Sequence, residues 1–166
     1  MADPLEGGPC YQLYTVEFYK MCLAKLNPGG VFVTQSGQAG VKRHHLVWSP
    51  VNSTLRQVFP SVKAYNQAVY SFMDEWGWNM AYVDPGMELL EPEQVDQRIA
   101  ERITGGADAL RFLDGESYRG LFCLSKAHRK TLGEEKRVLS RERGTFALMH
   151  SQGLCVAGSS GNGSAH

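Results

Sequence analysis

The chain has 166 residues, 43% of them hydrophobic and 10% aromatic, enough to bury one core and to mark it as a globular protein. Seventeen basic residues balance seventeen acidic ones, so no summed field favours nucleic acid, an anionic membrane or a polyanionic substrate, and any charged ligand has to be recognised locally. No apolar run approaches the roughly 20 residues of a membrane helix, the N-terminus is unlike a leader peptide, and the widely spaced Cys10, Cys22, Cys123 and Cys155 form neither a metal motif nor a disulfide framework, so reduced thiols in a cytoplasmic setting are expected.

The first predicted element is a helix over 11–26, where Tyr11, Tyr14, Phe18, Met21 and Cys22 recur at three- and four-residue steps and Asn27-Pro28-Gly29-Gly30 provides the stop. VFVTQ, Val31 to Gln35, is β-branched and nearly all apolar; it predicts a strand covered on both faces, as in a parallel sheet. After the SGQAG loop, Trp48, Val51, Leu55 and Phe59 predict a second helix over 44–59, closed by Pro60. Val62–Phe72 and Gly77–Val83 then read as an antiparallel hairpin. Helix, strand, helix, hairpin is the order of the second half of an open, Rossmann-like α/β sheet whose edge carries an antiparallel hairpin. Alone, so few strands leave a sheet face uncovered, so the isolated chain is expected to be marginal unless a partner completes it.

Beyond Pro85, Pro92 starts a helix whose stripe is Val95, Ile99 and Ile103, and Gly105-Gly106 ends it. Leu110–Leu113 predicts a short strand, Ser117–Leu132 a helix weakened at Gly120, Lys126–Lys136 a solvated face, and Thr145–His150 a last strand. The expected organisation is a sheet-bearing part over 1–85, an extension of the same domain over 86–152, and a flexible tail over 153–166.

Three places could carry chemistry. Asp3, before Pro-x-x-Gly-Gly-Pro, reads either as a carboxylate for a cationic group at the crevice of an α/β sheet or as an ordinary turn residue. Gln35, the polar end of an apolar strand, reads either as an amide that donates to and accepts from a ligand or as a structural residue. Phe72, Asp74, Glu75, Trp76 and Trp78 gather at the hairpin tip, where rings and carboxylates suit a flexible polycation, with core packing of the tryptophans as the competing reading. His44 and His45 are adjacent, so on a helix they diverge and do not chelate together, and no metal motif appears.

Four blocks carry a resemblance: ADPLEGGPCYQLYTVEFY (Ala2–Tyr19), LNPGGVFVTQ (Leu26–Gln35), NSTLRQVF (Asn52–Phe59) and WGWNMA (Trp76–Ala81). Together they resemble the spermidine synthase family of aminopropyltransferases, most nearly its plant and algal thermospermine synthases. The resemblance implies transfer of an aminopropyl group from the co-substrate decarboxylated S-adenosylmethionine to a polyamine, with no cofactor and no metal. Because an ammonium group with a pKa near 10 has to lose a proton before it attacks, the reaction needs a base. The family's base is the first Asp of D-x-x-D-P, which falls one residue before Met1, so no catalytic residue is expected in this chain and a longer synthase is expected to include it. The same resemblance puts Asp3 and Gln35 at the polyamine, Pro9 near the thioadenosine, and Phe72 where spermidine synthases carry a substrate-facing Tyr. Ser36 and Gln38 replace an Ala and a Pro of the family's usual loop, and Ala68 and Tyr70 stand where His and Pro are expected. Partners implied are a polyamine and either a second copy or a full-length synthase; the other functional reading is a non-catalytic chain that binds polyamine or pairs with such a synthase.

Overall fold

A computed structural model describes residues 9–142, 148–150 and 153–155. The described residues open with a 3-10 turn, Pro9–Tyr14, and then α1, Val16–Leu23. The single helix expected over 11–26 is broken at Thr15, whose hydroxyl donates to the Gln12 carbonyl (2.9 Å) and accepts from the Phe18 N–H (3.4 Å), so it caps α1 instead of continuing the turn before it.

The sheet is built from β1 (Val31–Gln38), β2 (Ser61–Val69) and β3 (Asp74–Tyr82) in the order β1-β3-β2. The expected hairpin is β2 and β3, joined through the 3-10 turn Tyr70–Phe72 and a left-handed Met73 (φ 56°). Both flanking strands run antiparallel to β3 and therefore parallel to each other, so their C-terminal ends lie at the same end of the sheet. The expectation that 31–35 is buried on both faces is corrected: the described partner of β1 is antiparallel, and Val31 and Val33 are 40% and 47% exposed.

Helix α2, Trp48–Arg56, is buried on nearly every side from Trp48 to Leu55. It starts later than the expected His44, because residues 41–47 are turns with the His44 ring set against the Gly40 carbonyl (3.3 Å) and Thr131 Oγ1 (2.9 Å). One side of α2 covers the sheet. The other is covered by α5, Lys126–Glu134, and by the extended segment that follows it. Ser49 donates to Glu135 Oε2 (2.8 Å), Ser53 donates to the Glu135 carbonyl (3.3 Å), and Thr54 accepts from the Leu139 N–H (3.0 Å), so the hydroxyls of α2 are buried with partners. The segment then reaches α1, with the Val16 N–H on the Leu139 carbonyl (2.8 Å). The solvated face expected over 126–136 forms on one side, where Lys126, Arg129, Lys130, Glu134 and Lys136 are exposed, while His128, Leu132 and the Glu135 side chain are buried on the other.

The opposite sheet face meets α4, Gly115–Phe122, through Phe122 and Tyr65 (ring centroids 5.3 Å). Helix α3, Pro92–Arg102, begins at Pro92 as expected, buries Val95 and Ile99, and is tied to α4 by the Gly115 N–H on Asp96 Oδ1 (2.7 Å). No strand forms at 110–113, and the helix expected over 117–132 is two helices, because Ser125 caps α5 by accepting from the His128 N–H (3.2 Å). Two short strands pair antiparallel, β4 (Leu148–His150) and β5 (Gly153–Cys155), so part of the tail expected from 153 is a strand. The described core has two clusters, one around Tyr14, Tyr19, Val51, Leu55 and Phe59, the other joining Ala39, Trp48, Leu124 and Leu132.

Candidate functional site

Gln35 pairs in register with Trp78, and Trp78 with Tyr65, so the three make one cross-strand row. That row lies on the α4 side of the sheet, because Tyr65 touches Phe122, while the neighbouring row of Thr34, Asn79 and Ala64 faces α2, where Asn79 accepts from Asn52. Tyr65 and Trp78 stack at 5.5 Å and 10°. Two residues along β3, on the same face and roughly 7 Å away by strand geometry, Trp76 pairs with Gln38 and packs on Phe72 (4.6 Å). Gln35, Phe72 and the aromatic hairpin are therefore brought to one face at one end of the sheet.

The polar character of this end is acidic. Asp74 accepts from the Glu75 N–H (2.8 Å), Glu75 accepts from Asn66 Nδ2 (3.2 Å), and neither takes part in the ion pairs found among the described residues, Lys63–Glu88 and Arg137–Glu135. Phe72 is 38% exposed and Tyr70 90%. Burial raises the Tyr65 hydroxyl above its ordinary value, which keeps it neutral. Aromatic faces beside the Asp74 carboxylate, with an amide at their edge and Glu75 on the other face of the same strand end, match the chemistry of a linear polyammonium chain: methylenes on rings, ammonium groups on a carboxylate and ring faces. Asp3 lies outside the described residues, and of Pro9 only the backbone, at the start of the first 3-10 turn, is described.

Packing behind the site explains residues that a linear reading leaves without a role. Gly77 lies against Trp48, where a Cβ would stand 2.6 Å from the indole, and Trp48 Nε1 donates to the Trp78 carbonyl (3.1 Å). Trp48 also meets His128 (5.4 Å), which meets His44 (4.7 Å). Both ring nitrogens of His128 are buried without a hydrogen-bond partner. Burial first, and then the His44 ring, lowers its pKa, against the Glu75 carboxylate, which raises it. Sequence spacing gave no sign of the His44–His128 contact, which spans 84 positions; nor did it point to Tyr65, although its aromatic side chain three residues into a strand was a visible signal.

Comparison with known proteins bears on the family and the fold. Residues 1–88 match the spermine/spermidine synthase domain. Over 155 residues the chain is 43% identical to thermospermine synthase ACAULIS5 of Arabidopsis thaliana, covering 93% of this chain and 44% of that protein. A polyamine aminopropyltransferase of Hyperthermus butylicus is 36% identical over 148 residues, covering 88% and 46% respectively. A solved spermidine synthase, in complex with the transition-state analogue AdoDATO, superimposes with a TM-score of 0.63 at 22% identity, over 81% of this chain and 43% of that one. The Thermotoga maritima spermidine synthase gives 0.58 at 21%, over 77% and 41%. The fold is therefore the Rossmann-like fold of those enzymes, and the chain spans less than half the length of the relatives it matches. It belongs to the spermine/spermidine synthase family.

Proposed function

We propose that these 166 residues carry the polyamine-binding side of an aminopropyltransferase that uses decarboxylated S-adenosylmethionine, with spermidine as acceptor and thermospermine as product. The observation that carries the proposal is the convergence of Gln35 with the Phe72–Trp76 pair, next to Asp74, on one face towards the C-terminal ends of β1 and β2. In this reading the Gln35 amide accepts from a polyamine N–H, the Phe72 ring covers methylenes, Asp3 holds an ammonium group and Pro9 borders the thioadenosine. Residues 86–152 belong to the same domain as 1–85, supported by the contacts of α4 with β2 and of α5 with α2. The setting is cytoplasmic, in keeping with the free thiols Cys22 and Cys123, and no helix among the described residues is long and apolar enough to cross a membrane.

The test is calorimetric titration of spermidine into the chain at low salt, beside Gln35→Ala and Phe72→Ala. Loss of one hydrogen bond or one ring contact weakens binding about tenfold in each. Absence of binding, or binding that neither substitution changes, overturns the proposal. Transfer assayed with decarboxylated against ordinary S-adenosylmethionine, in a longer synthase that includes these residues, distinguishes aminopropyl transfer from methyl transfer.

A second reading has its own observation. The outer edge of β1 has no strand partner among the described residues, and Val31 and Val33 beside it are exposed. Such an edge pairs readily with another chain, which favours association with a full-length synthase or a second copy. Sedimentation with and without such a synthase tests it: a monomer that stays separate from the synthase refutes association.

A further inference from the structure

On the covered face of the sheet, three buried polar side chains form a continuous hydrogen-bonded line. Asn52 Nδ2, from α2, donates to Asn79 Oδ1 (2.7 Å), and Asn79 Nδ2, from β3, donates to Ser36 Oγ (2.8 Å). Ser36 Oγ in turn donates to the Thr34 carbonyl (3.2 Å). Ser36 and Asn79 are fully buried and Asn52 is 4% exposed. Polar groups so placed are retained only where they are paired, and pairing in a low-dielectric interior makes them stiff.

The line ends on the two residues that flank Gln35. Thr34 supplies the carbonyl and Ser36 the hydroxyl, so the backbone on both sides of Gln35 is held to β3 and, through Asn79, to α2. This is the point at which the β1–β3 ladder is irregular, with the register shifting between Gln35 and Gln38 and Gly37 in the left-handed region at φ 82°. A bulge loses ladder hydrogen bonds and re-aims the side chains beside it; without another restraint the strand end would be loose where Gln35 leaves it. Asn79 reaches Ser36 diagonally, since its register partner is Thr34, and so spans the irregular step.

We infer that Ser36 and Asn79, anchored by Asn52, are positioning residues that fix the aim of the Gln35 side chain on the opposite face. The inference rests on the reading in which Gln35 contacts a polyamine. It also gives a use to Ser36, which stands where the resemblance leads one to expect Ala: an alanine there would leave the Asn79 amide buried without its acceptor.

The test combines two readouts on the whole chain. Spermidine affinity is measured for wild type, Ser36→Ala, Gln35→Ala and the double variant, well below the melting temperature so that all are folded. Backbone amide exchange is measured at Gln35–Gln38 and, as reference, at Val62–Ala64. If Ser36 acts through Gln35, Ser36→Ala weakens spermidine about three- to tenfold and has no further effect when Gln35 is already Ala. It also accelerates exchange at 35–38 and not at 62–64. An unchanged affinity, or the same loss in both backgrounds, overturns the inference, because a merely structural residue would act alike with and without Gln35. If wild type binds no spermidine, the polyamine reading fails, and exchange alone then decides: selective acceleration at 35–38 keeps Ser36 as the anchor of this strand end, and none removes it. If Ser36→Ala does not fold, Asn52→Ala, which cuts the far end of the line, is read in the same way.

Discussion

Replacing Gly77 by Ala tests whether the W-G-W block is shaped by packing behind the sheet. Gly77 is absent from the positive-φ positions, so its backbone accepts an L side chain, and the substitution by itself stabilises by about 0.4–1 kcal/mol through the unfolded chain. Against this stands the geometry: the new Cβ would lie 2.6, 2.7 and 2.8 Å from Cδ1, Cγ and Nε1 of Trp48. Trp48 is fully buried among Ala39, Leu124 and Leu132 and donates to the Trp78 carbonyl, so a rigid ring with no free space has to move. Overpacking costs about 1–3 kcal/mol, and a hydrogen bond lost in that movement about 1 more. The net expectation is destabilisation by about 1–3 kcal/mol, read in urea as a midpoint lowered by roughly 0.5–1.5 M with m unchanged. Gly77→Ala in a Trp48→Phe background should recover part of the loss, because the smaller ring leaves room; this also serves if the single variant does not fold. A Gly77→Ala protein as stable as wild type, or a double variant whose losses simply add, would refute the steric account.

Three further outcomes follow from the polar interior. Burial alone would raise the Glu135 carboxyl, but hydrogen bonds from Arg137 and Ser49 prevail and hold it at about 2. A depressed carboxyl contributes stability above its unfolded value near 4.3 and loses it as pH falls towards 2. With the Arg137 side chain 54% exposed, screening leaves about 1–2 kcal/mol, so Glu135→Gln should lower the urea midpoint at pH 7 and flatten its fall between pH 5 and 2. His128 has a lowered pKa and is held neutral, so its contribution is complete above its unfolded value near 6.5 and declines below it; His128→Leu, which also removes two unpartnered nitrogens, should show a smaller loss of thermal stability from pH 7 to pH 5 than wild type. Thr54→Val keeps the shape but strands the buried Leu139 N–H, costing about 1–3 kcal/mol, with faster amide exchange at Leu139.

What could be read along the chain was local. Pro92 with Val95 and Ile99 spaced along one stripe gave α3, and two apolar runs about a short polar turn gave the hairpin, because those signals lie within one element. What could not be read depends on partners far away in sequence. Ser49, Ser53 and Thr54 look like the solvated side of an amphipathic helix, yet they are buried because Glu135 and Leu139 pair with them more than 80 positions later. The break at Thr15 turns on one hydroxyl competing with the helix ladder, which periodicity does not see. At the site, the end of an apolar strand marked Gln35 and composition marked the hairpin, but their shared face required the register of β1 and β2 on β3.

The register also separates the parts of the family resemblance that maintain the fold from those that choose a ligand. Asn52 and Gly77 lie in the NSTLRQVF and WGWNMA blocks, and behind the sheet Asn52 meets Asn79 and Gly77 meets Trp48, so those blocks are in part a record of one packed cluster. The departures at Ala68 and Tyr70 lie elsewhere. Both are exposed, Tyr70 at 90%, and Ala68 pairs with Glu75 at the hairpin beside Phe72. Substitution there costs the core nothing and changes which length and charge spacing of amine can lie along the hairpin. Exposed hairpin positions can vary with the ligand while the packed cluster keeps the fold, and Ala68→His with Tyr70→Pro should accordingly shift the ratio of spermidine to putrescine affinity while leaving the melting temperature nearly unchanged; a melting shift without a change in that ratio would place these residues with the fold instead.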